Sequence, residues 1–132
     1  MYLEFEIQPR FCDTDAVGHI NSTAVAQWLE VGRMKFMMDV FEKPGPTMLR
    51  RVEIDYDREL THLVPALVRT GVERIGTKSV TLRQEIWQRD VCCARAIAVD
   101  CHFDKTTRQA APFPEHLLAI YRKHLFSDGR GD

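Results

Sequence analysis

Residues 49–104 contain three consecutive segments in which apolar and polar side chains alternate, and a fourth, Cys93 to Phe103, with alanines on one face and larger apolar side chains on the other. Alternation with a period of two predicts half-buried β-strands. The polar breaks at Gly76-Thr77-Lys78 and Gln88-Arg89-Asp90 are as short as hairpin loops, whereas a parallel crossover needs a dozen or more residues. This part of the chain therefore predicts an antiparallel sheet and excludes a parallel one.

Two helices accompany the predicted sheet. A first strand over residues 3–7 precedes a long helix that begins at the capping residues Asn21-Ser22-Thr23 and continues, with apolar side chains at helical spacing, to Phe41. A shorter amphipathic helix is predicted from Pro114 to about His124. The long helix is the only element large enough to cover a five-stranded antiparallel sheet, so we predict an α+β fold of two layers.

The length of 132 residues fits a single domain over residues 1–132, in which residues 127–132 are expected to form a frayed tail. The 18 Lys and Arg residues balance 19 Asp and Glu residues without any block of like charge, which argues against a nucleic-acid partner. No apolar run approaches the ~18 to 20 residues that span a bilayer, and the alternating, acidic first residues are unlike a signal peptide. We therefore expect a cytoplasmic protein without a membrane partner.

The cysteines predict neither a metal site nor a disulfide framework. None of the four forms a CxxC pair or stands at the Cys/His spacing of a zinc site. Cys12 lies beside an acidic motif, but its apolar flank and the lack of an obvious base argue against a nucleophilic role.

The densest polar cluster lies between the first strand and the long helix, and it consists of Asp13, Asp15, His19 and Asn21. A carbonyl bound here would face the unpaired N–H groups and the positive dipole end of the helix, which stabilise developing negative charge. Either aspartate could then act as a nucleophile or as a general base for water. Asp13 could instead form an Asx turn, and His19 could be a packing or hydrogen-bonding residue without a titrating role.

The stretch that contains this cluster resembles the opening of a known family. Residues 10–21, with the sequence RFCDTDAVGHIN, and a following helix with Trp28, Glu30 and Arg33 are similar to the hot-dog-fold acyl-CoA thioesterases of the 4-hydroxybenzoyl-CoA thioesterase type. The further stretches that match in order and spacing are 52–56, 59–60, 74–80 and 112–114. The resemblance therefore covers about residues 2–122.

The resemblance implies a hot-dog fold, in which a curved antiparallel sheet of five strands wraps around one long central helix. It also implies homodimers, or dimers of dimers, with active sites between subunits, which would cover the open edge strands. By position, the catalytic carboxylate falls on Asp15, and a backbone N–H at or near Ser22 would hold the thioester carbonyl. His19 and Asn21 would shape the loop and position water or the carbonyl.

Substrate-binding residues are implied at two places. Asp13 and Gly18 belong to the loop around Asp15. Lys78 and Ser79 stand where the family commonly meets the coenzyme A end, so that Lys78 could pair with phosphate. Lys78 could equally be an ordinary solvated hairpin lysine.

Glu30 and Arg33 are spaced as an ordinary helical ion pair, although Glu30 could instead supply a second carboxylate. Ser22 and Val25 depart from the family, in which a second asparagine and an aromatic residue are usual at these positions. These departures leave the shape of the acyl pocket open.

The implied activity is hydrolysis of an acyl-CoA thioester to a free carboxylic acid and coenzyme A, without a metal or an organic cofactor. The same fold could instead bind acyl-CoA or an acyl-carrier protein without hydrolysis, which saturable binding without thiol release would identify. A dehydratase is a further alternative. It needs an aspartate and histidine pair acting on a β-hydroxyacyl chain, and the close pair here, Asp15 and His19, belongs to the thioesterase-type motif.

Overall fold

The computed structural model describes residues 2–42 and 45–126. The elements are β1 (Leu3–Ile7), a 3-10 turn (Phe11–Asp13), α1 (Ser22–Val40), β2 (Thr47–Tyr56), β3 (Ala66–Ile75), β4 (Ser79–Gln88), β5 (Val91–Asp104), β6 (Gln109–Ala110) and α2 (Glu115–Lys123). The expected tail, residues 127–132, lies outside the described residues, as do Lys43 and Pro44 of the predicted helix stop.

The strands form one antiparallel sheet in the order β1-β3-β4-β5-β2, with β6 paired to the end of β5. The β3–β4 and β4–β5 connections are hairpins, as the short polar breaks predicted. The predicted α+β fold, with a five-stranded antiparallel sheet and one long helix, is therefore confirmed. The additional strand β6 has two residues, which are too few to show an alternation.

Helix α1 lies across the sheet and contacts β1, β3 and β4. It begins where the sequence predicted, because the Asn21 side chain accepts a hydrogen bond from the Ala24 N–H at 2.7 Å. At Gly32 a Cβ would lie 2.6 Å from Cγ1 of Val68 on β3. A residue without a side chain is thus required for α1 to lie this close to the sheet.

Two apolar clusters fill the space between α1 and the sheet. The first lies under the first half of α1, where Trp28 packs near the small Ala94 of β5. The second surrounds Phe36 and is closed by Tyr121 of α2. Large helix side chains over small strand side chains keep the interior close-packed, and α2 covers the end of the core away from the start of α1.

Strand β2 lies at the edge of the sheet and is exposed along most of its length. Val52 and Tyr56 pair with the buried Ala98 and Ala94 of β5, so they face the same side of the sheet as α1. Since α1 lies over the other half of the sheet, Val52 and Tyr56 remain 40% and 53% exposed. The alternation that predicted a half-buried strand therefore marks a face that one chain leaves open.

Neither α1 nor α2 is long and apolar enough to cross a membrane. The exposed side of α1 carries charged residues, among them Glu30, Lys35 and Asp39. The expected cytoplasmic location stays a prediction.

Candidate active site

A closed loop at the N-terminal end of α1 holds the predicted catalytic carboxylate. The Asp15 N–H donates to the His19 carbonyl at 2.8 Å, and the Gly18 N–H donates to the Asp15 carbonyl at 3.1 Å. The Asp15 side chain completes the loop, because its Oδ1 accepts hydrogen bonds from the N–H groups of Val17 (2.9 Å) and His19 (3.2 Å). Gly18 has a φ of +95°, a left-handed conformation that strains residues with a Cβ, so this loop requires a glycine there.

The Asp15 carboxylate is exposed and ionised at neutral pH. Backbone N–H groups, that of Val17 above all, donate hydrogen bonds that lower the pKa of Asp15 below its ordinary value. Among the described residues, no group donates a hydrogen bond to Oδ2, so one carboxylate oxygen is available to a ligand or a water. Such a carboxylate can attack a carbonyl carbon or take a proton from water.

Asp13 has a different environment from Asp15. Its side chain is buried, and its two oxygens accept hydrogen bonds from the backbone N–H and the guanidinium of Arg10, both at 2.9 Å. Arg10 lowers the pKa of Asp13, and the Asp13 carbonyl accepts the Asn21 N–H at 2.8 Å. Asp13 thus joins the 3-10 turn to the start of α1. The Asx turn considered for Asp13 is formed by Asp15 instead, and a substrate-binding role for Asp13 stays a prediction.

The first N–H groups of α1 lie next to this loop. The Asn21 side chain caps the Ala24 N–H, and the Val25 N–H donates to the Asn21 carbonyl at 3.2 Å. The N–H groups of Ser22 and Thr23 have no acceptor among the described residues, as is usual in the first turn of a helix. Both residues are exposed at the positive end of the helix dipole, so these two donors are available to a carbonyl oxygen.

His19 contacts a carboxylate that sequence reasoning did not single out. Its Nε2 contacts the carboxylate of Glu59, on the connection between β2 and β3. The Ile20 N–H donates a hydrogen bond to the Leu60 carbonyl at 2.9 Å, which links the same connection to the loop. His19 therefore lies between Asp15, which accepts its N–H, and Glu59, which contacts its ring. Helix α1 and strand β2 lie between His19 and Glu59 along the chain, so no local sequence pattern could have revealed this contact.

Lys78 and Ser79 lie far from Asp15 within one chain. They belong to the β3–β4 hairpin, where the Gly76 N–H donates to the Ser79 carbonyl at 2.8 Å. The Asp15 loop follows the end of β1, which pairs with the start of β3. The two groups are thus at opposite ends of the 10-residue strand β3, about 30 Å apart at ~3.3 Å per residue. One chain does not bring these predicted substrate-binding residues to the carboxylate.

The hairpin end of the sheet has an open cavity of its own. The cavity measures about 940 Å³ and lies between the β3–β4 hairpin and α2. Two arginines, Arg74 and Arg122, contribute to its lining, together with Gly76 and Thr77 of the hairpin. The candidate catalytic residues at the α1 N-terminus lie at the other end of the sheet from this cavity.

A second cavity, the α1–β2 groove, starts at the α1 N-terminus. Two adjoining parts form it, one of about 240 Å³ that begins at Thr23 and one of about 410 Å³ that reaches Gly45. Both parts are lined by Glu30, Arg33 and Leu49, so the groove is continuous. It follows the uncovered side of α1 away from Asp15.

The sequence predicted an ion pair between Glu30 and Arg33, but the described residues contain no such pair. The Arg33 guanidinium instead donates to the Gln84 side chain on β4 at 3.0 Å. Arg33 lies on the buried stripe of α1 with Leu29 and Phe36, so its side chain is directed into the fold, and Glu30 is left on the exposed side.

One long helix on an antiparallel sheet of this order, with a carboxylate loop at the helix N-terminus, defines a domain of the hot-dog class. The sequence model of the thioesterase-like superfamily matches residues 9–120. The chain belongs to this family and is a thioester hydrolase. A comparison with curated proteins gave no match.

Solved structures agree with this assignment. A predicted thioesterase from Bacillus stearothermophilus is 34% identical, covers 98% of this chain and 100% of its own, and has a TM-score of 0.88. A thioesterase complexed with coenzyme A and Zn from Thermus thermophilus is 20% identical (90% of this chain, 96% of its own, TM-score 0.84). A 1,4-dihydroxy-2-naphthoyl-CoA thioesterase from Synechocystis is 17% identical (92% and 96%, TM-score 0.80). The last two, at these identities, show a common fold.

Proposed function

We propose that the protein hydrolyses acyl-CoA thioesters to a carboxylic acid and coenzyme A, with Asp15 as the catalytic carboxylate. The observation that carries this proposal is the free oxygen of the Asp15 carboxylate next to the unpaired N–H groups of Ser22 and Thr23. Thioester hydrolysis needs a donor for the carbonyl oxygen and a nucleophile or base for the carbonyl carbon. The solved thioesterase that holds coenzyme A supports the CoA part of the substrate.

The reaction follows from this geometry. The thioester carbonyl oxygen accepts a hydrogen bond from the Ser22 N–H, and the positive end of α1 stabilises the charge that develops on it. In a nucleophilic route, Asp15 attacks the carbonyl carbon, the C–S bond breaks, the coenzyme A thiolate leaves and is protonated by water, and a second water hydrolyses the anhydride. In a general-base route, Asp15 takes a proton from the water that attacks the carbon, the C–S bond breaks, and the leaving coenzyme A thiolate takes up that proton. The lowered pKa of Asp15 keeps the carboxylate ionised for either route at neutral pH.

Three other predicted site residues, Gly18, Asn21 and His19, have positioning roles in this proposal. Gly18 permits the turn that brings the N–H groups of Val17 and His19 to Asp15. Asn21 caps α1 and so leaves the first two N–H groups of the helix for the substrate. The His19 ring, which contacts Glu59, braces the loop from outside.

We further propose that the chain acts as a homodimer joined through β2. The strand has an unpaired edge, and apolar side chains are exposed around it, with Met34 at 57% and Leu49 at 43%. Such an edge invites pairing with a second strand. Antiparallel pairing of two β2 strands about a twofold axis brings the hairpin end of one subunit, with Lys78 and Ser79, to the Asp15 end of the other.

Sedimentation over a range of concentrations tests the dimer. We expect a species of twice the chain mass, or of four times the chain mass for a dimer of dimers. A single-chain mass at every concentration would contradict the proposal.

Thiol release, followed with a disulfide-exchange dye, tests the reaction. The substrates are short, long and aromatic acyl-CoAs, and Asp15→Asn is compared with the wild type. Loss of the catalytic carboxylate should lower turnover by more than the ~10²-fold typical of general-base help, without loss of the fold. Asp39→Asn, which changes an exposed aspartate on α1 in the same way, is the matched control and should remain at the wild-type rate.

Turnover of Asp15→Asn at the wild-type rate would remove Asp15 from the mechanism. Saturable acyl-CoA binding without thiol release by the wild type would favour the binding-module alternative. Single turnover in ¹⁸O-labelled water separates the two routes, since only the nucleophilic route places the label in the Asp15 side chain.

A further inference from the structure

The α1–β2 groove has a charged site in an otherwise mostly apolar lining. Around its wider part, Met34, Met37, Met38 and Leu49 are accompanied by Glu30, Arg33 and Asp100. Asp100 and Arg33 are 6% and 8% exposed, so both are almost completely withdrawn from solvent. Charged side chains are seldom buried to this degree without a partner.

The Asp100 carboxylate has no hydrogen-bond or ion-pair partner within residues 2–42 and 45–126. Asp100 lies on β5 between Val80 of β4 and Leu49 of β2, in the row that faces α1. The preceding members of that row are Ala94, Ala96 and Ala98, so Asp100 introduces the first charge. Burial raises the pKa of Asp100, and the nearby Arg33 opposes this effect.

The Arg33 guanidinium is held in place by a hydrogen bond, but only some of its N–H donors are used. One nitrogen of its guanidinium donates to Oε1 of Gln84 at 3.0 Å. Gln84 is fully buried, and its Nε2 donates to the Leu29 carbonyl at 2.9 Å and to the Thr70 hydroxyl at 3.0 Å. The guanidinium offers five N–H donors, so several remain for a ligand in the groove. This anchored arginine and the unpartnered Asp100 line the same cavity.

The position of Arg33 along α1 determines the length of acyl chain that would reach it. Arg33 follows Ser22, where the proposed thioester carbonyl binds, by about 16 Å along the helix axis at 1.5 Å per residue. An extended chain advances about 1.25 Å per bond of about 1.5 Å, so a twelve-carbon acyl chain with a terminal hydroxyl group spans about 15 Å from the carbonyl carbon to the hydroxyl oxygen, close to this distance. A single aromatic ring attached to the carbonyl is too short to reach Arg33.

We propose that the α1–β2 groove binds the acyl group and that Arg33 and Asp100 form a polar subsite that selects medium-length acyl chains with a hydroxyl group at the far end. This inference rests on the proposed function, because it takes the thioester at the α1 N-terminus as its starting point. A hydroxyl group can donate to Asp100 and accept from Arg33 at the same time. A terminal carboxylate would be repelled by Asp100 and Glu30, and a methyl terminus would leave the buried Asp100 carboxylate without a hydrogen-bond donor.

The test compares two substrates that differ by one hydroxyl group, 12-hydroxydodecanoyl-CoA and dodecanoyl-CoA. For the wild type we expect kcat/KM to favour the hydroxylated chain by roughly 10- to 100-fold, as for one hydrogen bond to a charged group. Asp100→Leu should reduce this preference to a few-fold at most, because only Arg33 remains to bind the hydroxyl group, and should increase the hydrolysis of dodecanoyl-CoA. Asp100→Asn, which keeps the shape and some hydrogen bonding, should retain part of the preference. Asp39→Leu on the exposed surface is the matched control.

Binding of the free acids separates this proposal from the proposed function. Calorimetry with 12-hydroxydodecanoic acid and dodecanoic acid needs no hydrolysis, so the subsite can be judged even if no thioester is cleaved. Equal affinities and equal kcat/KM values in the wild type would overturn the subsite, whether or not Asp100→Leu folds. A Leu variant that folds and keeps the full preference would also overturn it. The subsite would also be overturned if Asp100→Leu changed the dimer affinity and left the substrate preference unchanged, because Asp100 would then belong to the subunit contact.

Discussion

Replacement of Gly32 by alanine tests how closely α1 approaches the sheet. A Cβ at this position would lie 2.6 Å from Cγ1 of Val68, 3.0 Å from Nε2 of Gln84 and 3.3 Å from the hydroxyl oxygen of Thr70. None of these atoms can move freely, because Val68 is fully buried and β-branched and Gln84 makes hydrogen bonds through both ends of its amide. Gly32→Ala therefore forces α1 away from β3.

Two opposing contributions determine the expected loss of stability. Alanine is preferred over glycine inside a helix by about 1 kcal/mol, whereas overpacking of a core costs typically about 1–3 kcal/mol. A 2.6 Å contact with a stiff neighbour belongs in the upper part of that range, so the net loss should be about 1–2 kcal/mol. For a chain of 132 residues, the unfolding entropy is about 0.28 kcal/mol/K, which corresponds to a Tm lower by about 4–7 °C.

A double-mutant cycle with Val68→Ala tests the cause of this loss. Val68→Ala removes the atom that the new Cβ would meet. The double variant should therefore lose less free energy of unfolding than the two single variants lose together, by about 1–2 kcal/mol. Thermal unfolding is measured at one protomer concentration, since the proposed dimerisation would make Tm depend on concentration. Lys35→Ala on the exposed side of α1 is the control and should change stability by less than about 0.5 kcal/mol. Additive losses, or a Tm that rises in Gly32→Ala, would refute the reasoning.

Two further predictions concern histidines. Burial lowers the pKa of His102, whose Nδ1 has no hydrogen-bond partner among the described residues, so the unfolded chain takes up a proton first as the pH falls. Stability that is present above about pH 6.5 should therefore be lost as the pH falls through the folded-state pKa. His102→Leu should show a smaller decrease in Tm between pH 7 and pH 5 than the wild type, and an equal decrease would contradict this cause. At the active-site loop, Glu59→Gln should lower kcat for thioester hydrolysis roughly 10-fold with little change in KM, because His19 loses its contact with a carboxylate and the loop is held less firmly. Glu6→Gln on β1 is the control, and unchanged kinetics in Glu59→Gln would leave His19 positioned by the loop alone.

The alternation of side chains predicted the strands because a sheet with one covered face imposes a period of two. The prediction was weakest at the start of β2, which extends back to Thr47. The register with β5 shifts between Leu49 and Arg51, so the alternation is interrupted there and becomes clear only from Val52 onward. The pattern also could not show that the inner face of β2 lacks a cover within its own chain.

The parts of the candidate site that were predicted are close together in the sequence. Asp15, Gly18 and His19 form one loop through contacts over four residues or fewer, and Asn21 caps the helix that follows. The contacts of Glu59 and Asp100 depend on how distant elements pack, so periodicity carries no sign of them. A spacing of three residues suggested that Arg33 pairs with Glu30. Arg33 instead lies on the buried side of α1, where its side chain donates to Gln84.

The open face of β2 and the separation of Asp15 from Lys78 have a common geometric origin. A helix with its side chains is about 10–12 Å wide and strands are about 4.8 Å apart, so α1 covers the strands nearest to it and leaves the edge strand β2 exposed on that face. Pairing of two β2 strands in the proposed dimer would place these two exposed strands between the two α1 helices. The two α1–β2 grooves would then lie side by side in opposite directions, each running from its own Asp15 loop toward the Asp15 end of the other subunit. The same pairing would bring a hairpin lysine of one subunit to the carboxylate of the other. A substitution that separates the subunits without unfolding them should therefore weaken coenzyme A binding, which calorimetry with coenzyme A would measure.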